Sequence, residues 1–496
     1  GFVCDAEVYI TGTRLQPSLS PAPLVQVTSG ARGTSRTHGL ANYIAQEEMD
    51  RLEGFWISPS GQFLAFEESD DSHIPAFRIM HSGKPAAVGA GAQEDLRYPF
   101  AGEPNPRSRL GIASIGEAGG AVVWMDTSPR AADLGAEPYL ARVFWLPAAE
   151  VTTTSGSKDR LLAVLQNREQ TKLVLVEYTL STGQATCLIS ETSPPNAWVN
   201  LATTDNLRPL GPNGSQLLWG SERTGFQHLY LLDVSPGLSG GRQLVPLTSG
   251  QWMVDGVVPN GVNKKRGKVY FLGNRDDPLE KQLYEVDLSQ GPGSVRRVTT
   301  EPGTHSCVVD STGTRFIDTW SCIDAPYRVA IKSIVDGSTI QVLYDAREAV
   351  ATDLARLELA QPKFSKIKSR DGQVDLHLAT YLPDPKTFGS GPYPLLVSCY
   401  GGPHVQFVRN SWEMTTADMR AQALLARGYA VLKVDNRGSA RRGLAFEAAI
   451  KGNMGDLEVQ DQAAGVDHLV AKGIAIPGRV GIYGWSYGGD LSGGSL

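Results

Sequence analysis

The first 355 residues of this chain consist of short apolar segments separated by turns rich in Gly, Pro, Asn and Asp. Helical periodicity is almost absent from this part, so it is predicted to be an all-β region. One recurring pattern is a turn that leads into a strand, as in Ser58–Phe66 and Asp310–Phe316. Another is a strand with Leu-Tyr, then a strand ending in Val-Thr or Leu-Thr, whose residues Thr248 and Thr299 lie 51 positions apart.

A repeat of this length lies within the range for the four-stranded blades of a β-propeller. A single blade cannot bury both of its faces, so neighbouring blades must stack against one another. A plain β-sandwich is the alternative, but more than 300 residues of such repeats favour the propeller. Residues 1–355 are therefore predicted to form a β-propeller.

The character of the chain changes at about Gln361, where strands begin to alternate with helices. A hairpin around an Asp-Gly turn is predicted first, over residues 364–381. The alternation predicts a parallel sheet covered on both faces, with ligands at the carboxyl ends of its strands. Residues 361–496 are thus predicted to be the front part of an α/β-hydrolase domain. The predicted strands are 395–400, 430–434 and 480–483, and the predicted helices are 416–427 and 456–472.

The last predicted strand leads directly into the motif Gly484-Trp485-Ser486-Tyr487-Gly488-Gly489. G-x-S-x-G is the signature of a nucleophile elbow, a tight strand-to-helix turn that exposes its serine. Glycines flank such a serine because side chains there would collide with the neighbouring strand or helix. A glycine-rich loop with an incidental serine is the alternative, but the preceding strand and the extra glycine favour an acyl-transfer site with Ser486 as nucleophile.

A serine nucleophile needs hydrogen-bond donors for the oxyanion that forms during the reaction. In an α/β-hydrolase one donor is the backbone N–H of the residue after the nucleophile, which here is Tyr487. The loop after an earlier strand supplies the other, and Tyr400-Gly401-Gly402-Pro403 occupies that place. The Tyr400 phenol is therefore a candidate donor, although an aromatic side chain packed at a strand end is also compatible with the pattern.

The general base is missing from the expected place. α/β-Hydrolases carry the nucleophile, the acid and the histidine in that order, whereas all eight histidines of this chain precede Ser486. His404 belongs to the oxyanion side. Asp435, Asp456 and Asp461 also precede the serine and are expected to form structural pairs, for example with Arg437. Only ten residues follow Ser486, so the hydrolase domain is expected to be truncated after the elbow and this chain to be inactive by itself.

Charge and composition exclude several other classes of protein. A net charge of −6 without a basic run argues against a nucleic-acid partner. The longest apolar stretches are strand-sized, so no membrane span is expected. Five scattered cysteines predict neither a disulfide framework nor a metal cluster, and they favour the cytoplasm weakly. We expect neither a metal nor a cofactor.

One stretch interrupts the β pattern: residues 38–51 contain good helix formers and are predicted to include a short helix. This helix would present Glu47 and Glu48 as adjacent carboxylates. From composition alone such a pair is usually a solvated helix face.

Three motifs together resemble the prolyl oligopeptidase family: Tyr400–His404, Asp435–Gly443 and Gly484–Gly489. A fourth, Gln46-Glu47-Glu48-Met49-Asp50-Arg51 followed by Trp56 and Ser58-Pro59, is similar to the dipeptidyl peptidase IV subfamily, particularly its plant and bacterial members. The similarity extends over nearly the whole chain.

The resemblance implies an eight-bladed propeller on an α/β-hydrolase domain, incomplete here at both ends. It also implies a serine peptidase that removes Xaa-Pro or Xaa-Ala dipeptides from peptide N-termini. Ser486 would be the nucleophile, Tyr400 and the Tyr487 amide the oxyanion hole, and Glu47 and Glu48 the groups that bind the substrate's free amino group. The Asp and His of the family lie downstream of the serine and are absent here.

Two other interpretations stay open at this point. The protein could be an acylaminoacyl-peptidase or oligopeptidase of the same family, or a propeller protein whose hydrolase segment is not catalytic. A homodimer of the complete protein is also left open.

Overall fold

The computed structural model describes residues 1–12, 24–81, 89–116, 120–129, 132–146, 159–211, 214–235 and 242–495. Up to residue 192 its strands are β1 Phe2–Cys4, β2 Glu7–Thr11, β3 Leu24–Gln26, β4 Arg36–His38, β5 Phe55–Ile57, β6 Phe63–Asp70, β7 Ala76–Met80, β8 Gln93–Arg97, β9 Arg107–Ser114, β10 Val123–Trp124, β11 Tyr139–Leu146, β12 Arg160–Gln166, β13 Lys172–Tyr178 and β14 Ala185–Thr192. The helix α1, Tyr43–Glu48, lies between β4 and β5.

The next strands are β15 Arg208–Leu210, β16 Gln216–Ser221, β17 His228–Asp233, β18 Leu244–Pro246, β19 Val254–Asn263, β20 Lys268–Gly273, β21 Gln282–Asp287, β22 Arg296–Arg297, β23 Thr304–Val309, β24 Arg315–Cys322, β25 Ala325–Ser333 and β26 Thr339–Asp345. Two short helices follow, α2 Ala346–Ala349 and α3 Ala351–Leu357.

These strands form successive antiparallel sheets in chain order. The sheets β11–β14, β15–β18, β19–β22 and β23–β26 each have four strands that are neighbours in sequence, which is typical of propeller blades. Before them lie the sheet β1–β3 and a five-stranded sheet of β4, β5, β6, β9 and β10, while β7 and β8 form a separate two-stranded ribbon.

A buried threonine recurs at the same place in three of these sheets and explains the Val-Thr and Leu-Thr repeat. The hydroxyls of Thr28, Thr248 and Thr299 accept the backbone N–H of the second residue of β2, β17 and β21 at 2.8, 2.9 and 3.0 Å. Each hydroxyl also bonds to the side chain of the first residue of that strand. The predicted 51-residue repeat between the last two is thus a repeat of one local hydrogen-bond arrangement.

The C-terminal region contains β27 Lys363–Lys368, β28 Asp375–Tyr381, β29 Tyr393–Cys399, β30 Ala430–Asp435 and β31 Ala475–Gly484. Its helices are α4 Pro385–Phe388, α5 Met419–Leu425, α6 Leu444–Glu447, α7 Leu457–Ala471 and α8 Tyr487–Gly494. The strands form one sheet in the order β27-β28-β30-β29-β31.

Both faces of this sheet are buried, as the near-continuous apolar strands predict. Leu378 and Leu432 pack on one face with residues of α7, and Gly465 of α7 lies so close to β30 that a Cβ there would be 2.7 Å from Val434. Tyr381 and Val431 point to the other face and pack with residues of α5.

The sheet is mixed, not parallel as the sequence predicted. β29 is parallel to both β30 and β31, but β28 runs antiparallel to β30 because it enters the sheet as the second strand of the β27–β28 hairpin. The helix predicted at 456–472 matches α7, whereas the one predicted at 416–427 is shorter and begins at Met419, where Asp418 caps the free N–H groups. The helix predicted within 38–51 is also confirmed, but it is only six residues long.

The described chain divides into two compact units. The first comprises Gly1–Ser193, Pro209–Leu217 and Asp233–Arg242, and the second comprises Pro194–Arg208, Leu218–Leu232 and Gln243–Leu496.

Among the described residues, no helix is both long and apolar enough to cross a membrane.

Of the three aspartates predicted to have structural partners such as Arg437, Asp461 forms that pair and Asp435 does not. The Asp435 carboxylate, at the end of β30, accepts the backbone N–H groups of Phe407 and Val408 at 2.8 and 3.1 Å. Arg437 lies beyond the end of the strand, where its guanidinium is directed towards α7. There it forms two hydrogen bonds of 3.0 and 2.8 Å with the fully buried Asp461.

Breaking this buried pair is expected to destabilise the second unit strongly. Asp461→Asn removes the buried partner of the Arg437 guanidinium and leaves Asp371, a partly exposed carboxylate 2.6 Å away, as its counter-ion; breaking a buried pair typically costs up to about 3–5 kcal/mol of unfolding free energy. Asp467→Asn, on the exposed side of α7, breaks the solvent-exposed pair with Arg370 and should leave the unfolding midpoint unchanged. Urea unfolding of both variants measures the difference, and equal midpoints would show that the buried pair is dispensable.

Candidate active site

Ser486 lies in the conformation expected of a nucleophile elbow. It follows β31 by two residues and immediately precedes α8, with φ 54° and ψ −121°. A positive φ is uncommon for a residue with a side chain and stores strain of about 1–3 kcal/mol. The side chain of Ser486 is exposed, so its hydroxyl is available to a ligand.

The flanking glycines are required by close backbone approaches. A Cβ on Gly484 would lie 2.3 Å from the carbonyl oxygen of Gly488, and a Cβ on Gly488 would lie 2.3 Å from the carbonyl oxygen of Cys399. Both obstacles are backbone atoms that cannot move aside, so the turn excludes any other residue at these two positions. The glycine requirement predicted from the motif is therefore met on both sides of Ser486.

Tyr400 lies beside this elbow because the strands that precede them are parallel neighbours. Cys399 of β29 pairs in register with Gly484 of β31, so the residues after them emerge at the same sheet edge. The Tyr400 ring is half-buried, and its centroid is 6.0 Å from that of Tyr487 and 6.2 Å from that of Phe407. The structure thus brings Ser486, Tyr400 and Tyr487 together at the carboxyl end of the sheet.

Tyr487 presents a backbone donor at the start of α8. The first N–H groups of a helix have no partner within the helix, and the Tyr487 N–H has no acceptor among the described residues. Its phenol instead turns inward and donates to Glu458 of α7 at 2.5 Å. Burial, and then this hydrogen bond, raises the pKa of the Tyr487 phenol, so the ring stays neutral.

Glu458 was not identified from the sequence. It is fully buried, and besides the phenol it accepts the backbone N–H of Gly455 at 3.1 Å. The spacing of polar residues in the sequence could have identified it. Glu458, Asp461 and Gln462 lie three and four positions apart, on the face of α7 that also carries Gly465. Polar residues on such a face have buried partners, here the phenol of Tyr487 and the guanidinium of Arg437.

No histidine in the described ranges is hydrogen-bonded to Ser486. His404, the histidine nearest to Tyr400 in sequence, uses Nε2 for a hydrogen bond of 3.0 Å with Asn200. His377 pairs in register with Asp435 across the sheet, and burial lowers its pKa to about 4. Burial also raises the pKa of Asp435 to about 6, but its oxygens are occupied by backbone N–H groups.

Glu47 and Glu48 belong to the first unit, at the end of α1. Both residues are exposed, and neither side chain has a hydrogen bond or ion pair within the part of the chain that the structure describes. Their charge acts on the nearby Tyr43, whose pKa is raised by burial first and then by Tyr98 and Glu47. Two free carboxylates side by side fit a cationic ligand, although they are equally compatible with a solvated surface.

A rigid support holds this short helix in place. Asn42 caps α1 by accepting the N–H of Ala45 at 2.9 Å. Beneath the helix, the buried Arg51 pairs with Glu67 at 2.6 Å and donates to the carbonyl of Leu140 at 3.0 Å. A six-residue helix is not stable alone, so these contacts are what hold Glu47 and Glu48 in fixed positions.

Matches to models of known protein families identify the class of this protein. Residues 415–496 match the model of the prolyl oligopeptidase family, which agrees with the nucleophile elbow described above. Residues 2–327 match the model described as the dipeptidyl peptidase IV (DPP IV) N-terminal region. The chain therefore belongs to the dipeptidyl peptidase IV family of prolyl oligopeptidase-type serine peptidases.

Curated relatives share sequence over nearly the whole chain. Dipeptidyl peptidase 8 of Homo sapiens is 30% identical over 522 residues, which cover 92% of this chain and 56% of that protein. A probable dipeptidyl peptidase 4 of Aspergillus fumigatus is 27% identical over 94% of this chain and 58% of its own length. The chain thus spans little more than half the length of these relatives.

Solved structures confirm the fold. The dipeptidyl peptidase 4 of Porphyromonas gingivalis superposes with a TM-score of 0.80 at 23% identity, covering 100% of this chain and 64% of that one. A putative dipeptidyl aminopeptidase IV from Bacteroides ovatus gives a TM-score of 0.77 at 25% identity, over 95% of this chain and 63% of that one. A β-propeller followed by a partial α/β-hydrolase domain is therefore confirmed.

Proposed function

We propose that the complete gene product is a serine dipeptidyl aminopeptidase that releases Xaa-Pro and Xaa-Ala dipeptides from peptide N-termini. The observation that carries the proposal is the strained, exposed Ser486 between two obligatory glycines, with Tyr400 and the free Tyr487 N–H beside it. Family membership and the names of the relatives support the choice of dipeptidyl peptidase within the class.

In this proposal the Ser486 hydroxyl attacks the carbonyl carbon of the scissile bond. The resulting oxyanion accepts hydrogen bonds from the Tyr487 N–H and the Tyr400 phenol, which stabilise charge as it develops. The serine proton passes to a general base that none of the described histidines provides, so the 496-residue chain alone is expected to be inactive. Glu458 holds the Tyr487 ring in place through the phenol. The backbone N–H of Tyr487 is then the group that donates to the oxyanion.

Glu47 and Glu48 are proposed to bind the substrate's free α-amino group. Hydrogen bonds between ammonium and carboxylate groups are among the stronger polar contacts, and two carboxylates hold a single cation well. In the proposed enzyme, such an anionic site selects substrates that carry a free, positively charged N-terminus. The boundary between propeller and hydrolase at residues 355–361 stays a prediction.

Blocking the substrate's amino group tests this function. The complete gene product should hydrolyse glycyl-prolyl-p-nitroanilide, and N-acetylation of that substrate should reduce kcat/KM on the order of 10²-fold or more, since it removes the positive charge. Release of nitroaniline measures both reactions, with the 496-residue chain as the inactive control.

The other outcomes separate the alternatives. A preference for the acetylated substrate would identify an acylaminoacyl-peptidase instead. No hydrolysis of either substrate by the complete product would support a propeller protein whose hydrolase segment is not catalytic.

A further inference from the structure

A buried polar network lies next to the candidate oxyanion site, within the second unit. His404 ends the segment that begins at Tyr400, and its φ of 65° places it in the left-handed region that disfavours residues with side chains. Two bonds hold it there: its N–H donates to Glu447 at 2.9 Å, and its Nε2 lies 3.0 Å from Asn200 Oδ1. The segment that carries Tyr400 is thus fixed at its far end by groups outside it.

The orientation of the Asn200 amide follows from Trp198. Asn200 is 6% exposed, and its Oδ1 lies 2.8 Å from Trp198 Nε1, which only donates. The oxygen must therefore face the indole, and Nδ2 must face the other side. There Nδ2 donates to Glu222 at 2.9 Å and to Glu447 at 3.0 Å. Because Oδ1 only accepts, His404 Nε2 carries a proton.

Two carboxyl groups therefore share one buried amide. Glu222 is 8% exposed and Glu447 is 5% exposed. Burial, and then the charge of Glu447, raises the pKa of the Glu222 carboxyl to about 7. Glu222 is thus protonated below that pH, so the two carboxyl groups together carry at most one negative charge.

The charged and titratable groups near Glu222 in the described part of the chain come from three places. Glu447 comes from α6 and His404 from the segment after β29, while Lys451 donates to the carbonyl of Ala197. Arg223 lies over the Tyr230 ring at 5.6 Å.

Apolar contacts exclude water from this network. Ala197, Trp198, Leu444 and Ala448 form a small cluster around it. The segment that follows Glu222 packs tightly on the start of α6, where a Cβ on Gly443 would lie 2.8 Å from Phe226. Neither Glu222 nor Glu447 forms an ion pair with a cation among the described residues, and both are buried, so a second negative charge here would be poorly stabilised.

We propose that Asn200, Glu222 and Glu447 are positioning residues for the oxyanion side of the site, and that loss of the Glu222 proton displaces the Tyr400–His404 segment and lowers turnover. This inference rests on the proposed peptidase function. When Glu222 ionises, two carboxylates repel each other across one amide, and Glu447 is the one that holds the His404 N–H. A displacement of Tyr400 lowers kcat more than it raises KM, because an oxyanion donor acts in the transition state.

The same proton links the network to stability. An acid whose pKa is higher in the folded protein than in the unfolded chain favours folding at low pH. That contribution is complete below the unfolded pKa of Glu222 and is lost as the pH rises to about 7. Glu222→Gln removes this pH dependence because glutamine is neutral at every pH and keeps an oxygen for Asn200.

Two isosteric variants of the complete gene product test the proposal. Glu222→Gln should keep kcat near the wild-type value at neutral pH and move the alkaline limb of the kcat profile upward by about one pH unit or more. Glu447→Gln should lower kcat on the order of 10-fold to 10²-fold, since His404 and Asn200 donate to different oxygens of Glu447 and glutamine replaces one of those oxygens by an NH₂ group. Steady-state kinetics across the pH range, with KM recorded separately, measures both effects.

A spectroscopic measurement needs no turnover. In the 496-residue chain, difference infrared spectra should show a protonated carboxyl group that titrates near the pKa of Glu222 and is lost in Glu222→Gln. Absence of that band, or an unchanged kcat profile in an active Glu222→Gln enzyme, would overturn this inference alone. A complete wild-type product without peptidase activity would overturn the proposed function, and the inference with it.

Discussion

Ser486→Ala is expected to abolish peptide hydrolysis by the complete gene product. Removing the nucleophile of a serine peptidase lowers kcat by about 10⁴-fold to 10⁶-fold, because the remaining oxyanion donors act on water alone. Nitroaniline release from a dipeptide substrate measures the loss. Covalent labelling by a fluorophosphonate should disappear in the same variant, because this reagent reacts with activated serines.

The matched control is the serine at the other end of α8. The Ser495 hydroxyl donates to the carbonyl of Leu491 at 2.7 Å, so Ser495→Ala removes a serine hydroxyl just after α8 without touching the elbow. It should keep both hydrolysis and labelling. Turnover that survives Ser486→Ala while Ser495→Ala is also active would place the nucleophile elsewhere in the protein.

Neutralising the paired carboxylates of α1 is expected to have the second largest effect. The double variant Glu47→Gln and Glu48→Gln should reduce kcat/KM for substrates with a free N-terminus on the order of 10²-fold to 10⁴-fold. Each charged hydrogen bond contributes about 1.5–3 kcal/mol, and the amide replacements keep the size of the side chains. Hydrolysis of the acetylated substrate should change little, so the preference for free amino groups should nearly vanish.

Glu53→Gln is the control for this loss of charge. Glu53 is an exposed carboxylate close to α1 in sequence, and the described contacts involve its backbone carbonyl, which accepts from Arg51. This variant should keep the wild-type preference. If the double variant still discriminates against acetylated substrates as strongly as the wild type, Glu47 and Glu48 are a solvated surface and the amino group is bound elsewhere.

The blade repeat and the elbow are predictable from sequence because each rests on local chemistry. Thr248 and Thr299 recur because each hydroxyl accepts the backbone N–H of the second residue of a neighbouring strand. Gly484 and Gly488 are required because a side chain at either position would collide with backbone atoms. Short-range rules of this kind leave a regular trace in the sequence.

Long-range pairings leave no such trace. Arg437 reaches Asp461, which is 24 residues away, and not Asp435, which is two residues away, because the chain turns at the end of β30. Asn200 and Glu447 are 247 residues apart, and nothing local to either residue indicates the other. The direction of β28 in the C-terminal sheet was missed for a similar reason. β28 runs antiparallel to β30 because it is the second strand of a hairpin, and the alternation of strands and helices predicts only parallel strands.

The repeated threonine hydroxyl also bears on how such a chain can grow in evolution. In each of three sheets the donor, the acceptor and the side chain that completes the arrangement lie within about one repeat of sequence. A gene duplication that copies one repeat therefore copies a finished hydrogen-bond unit, which needs no compensating change in its neighbours. Repeat number can thus change by whole units, while the sequence within each unit diverges around the same threonine.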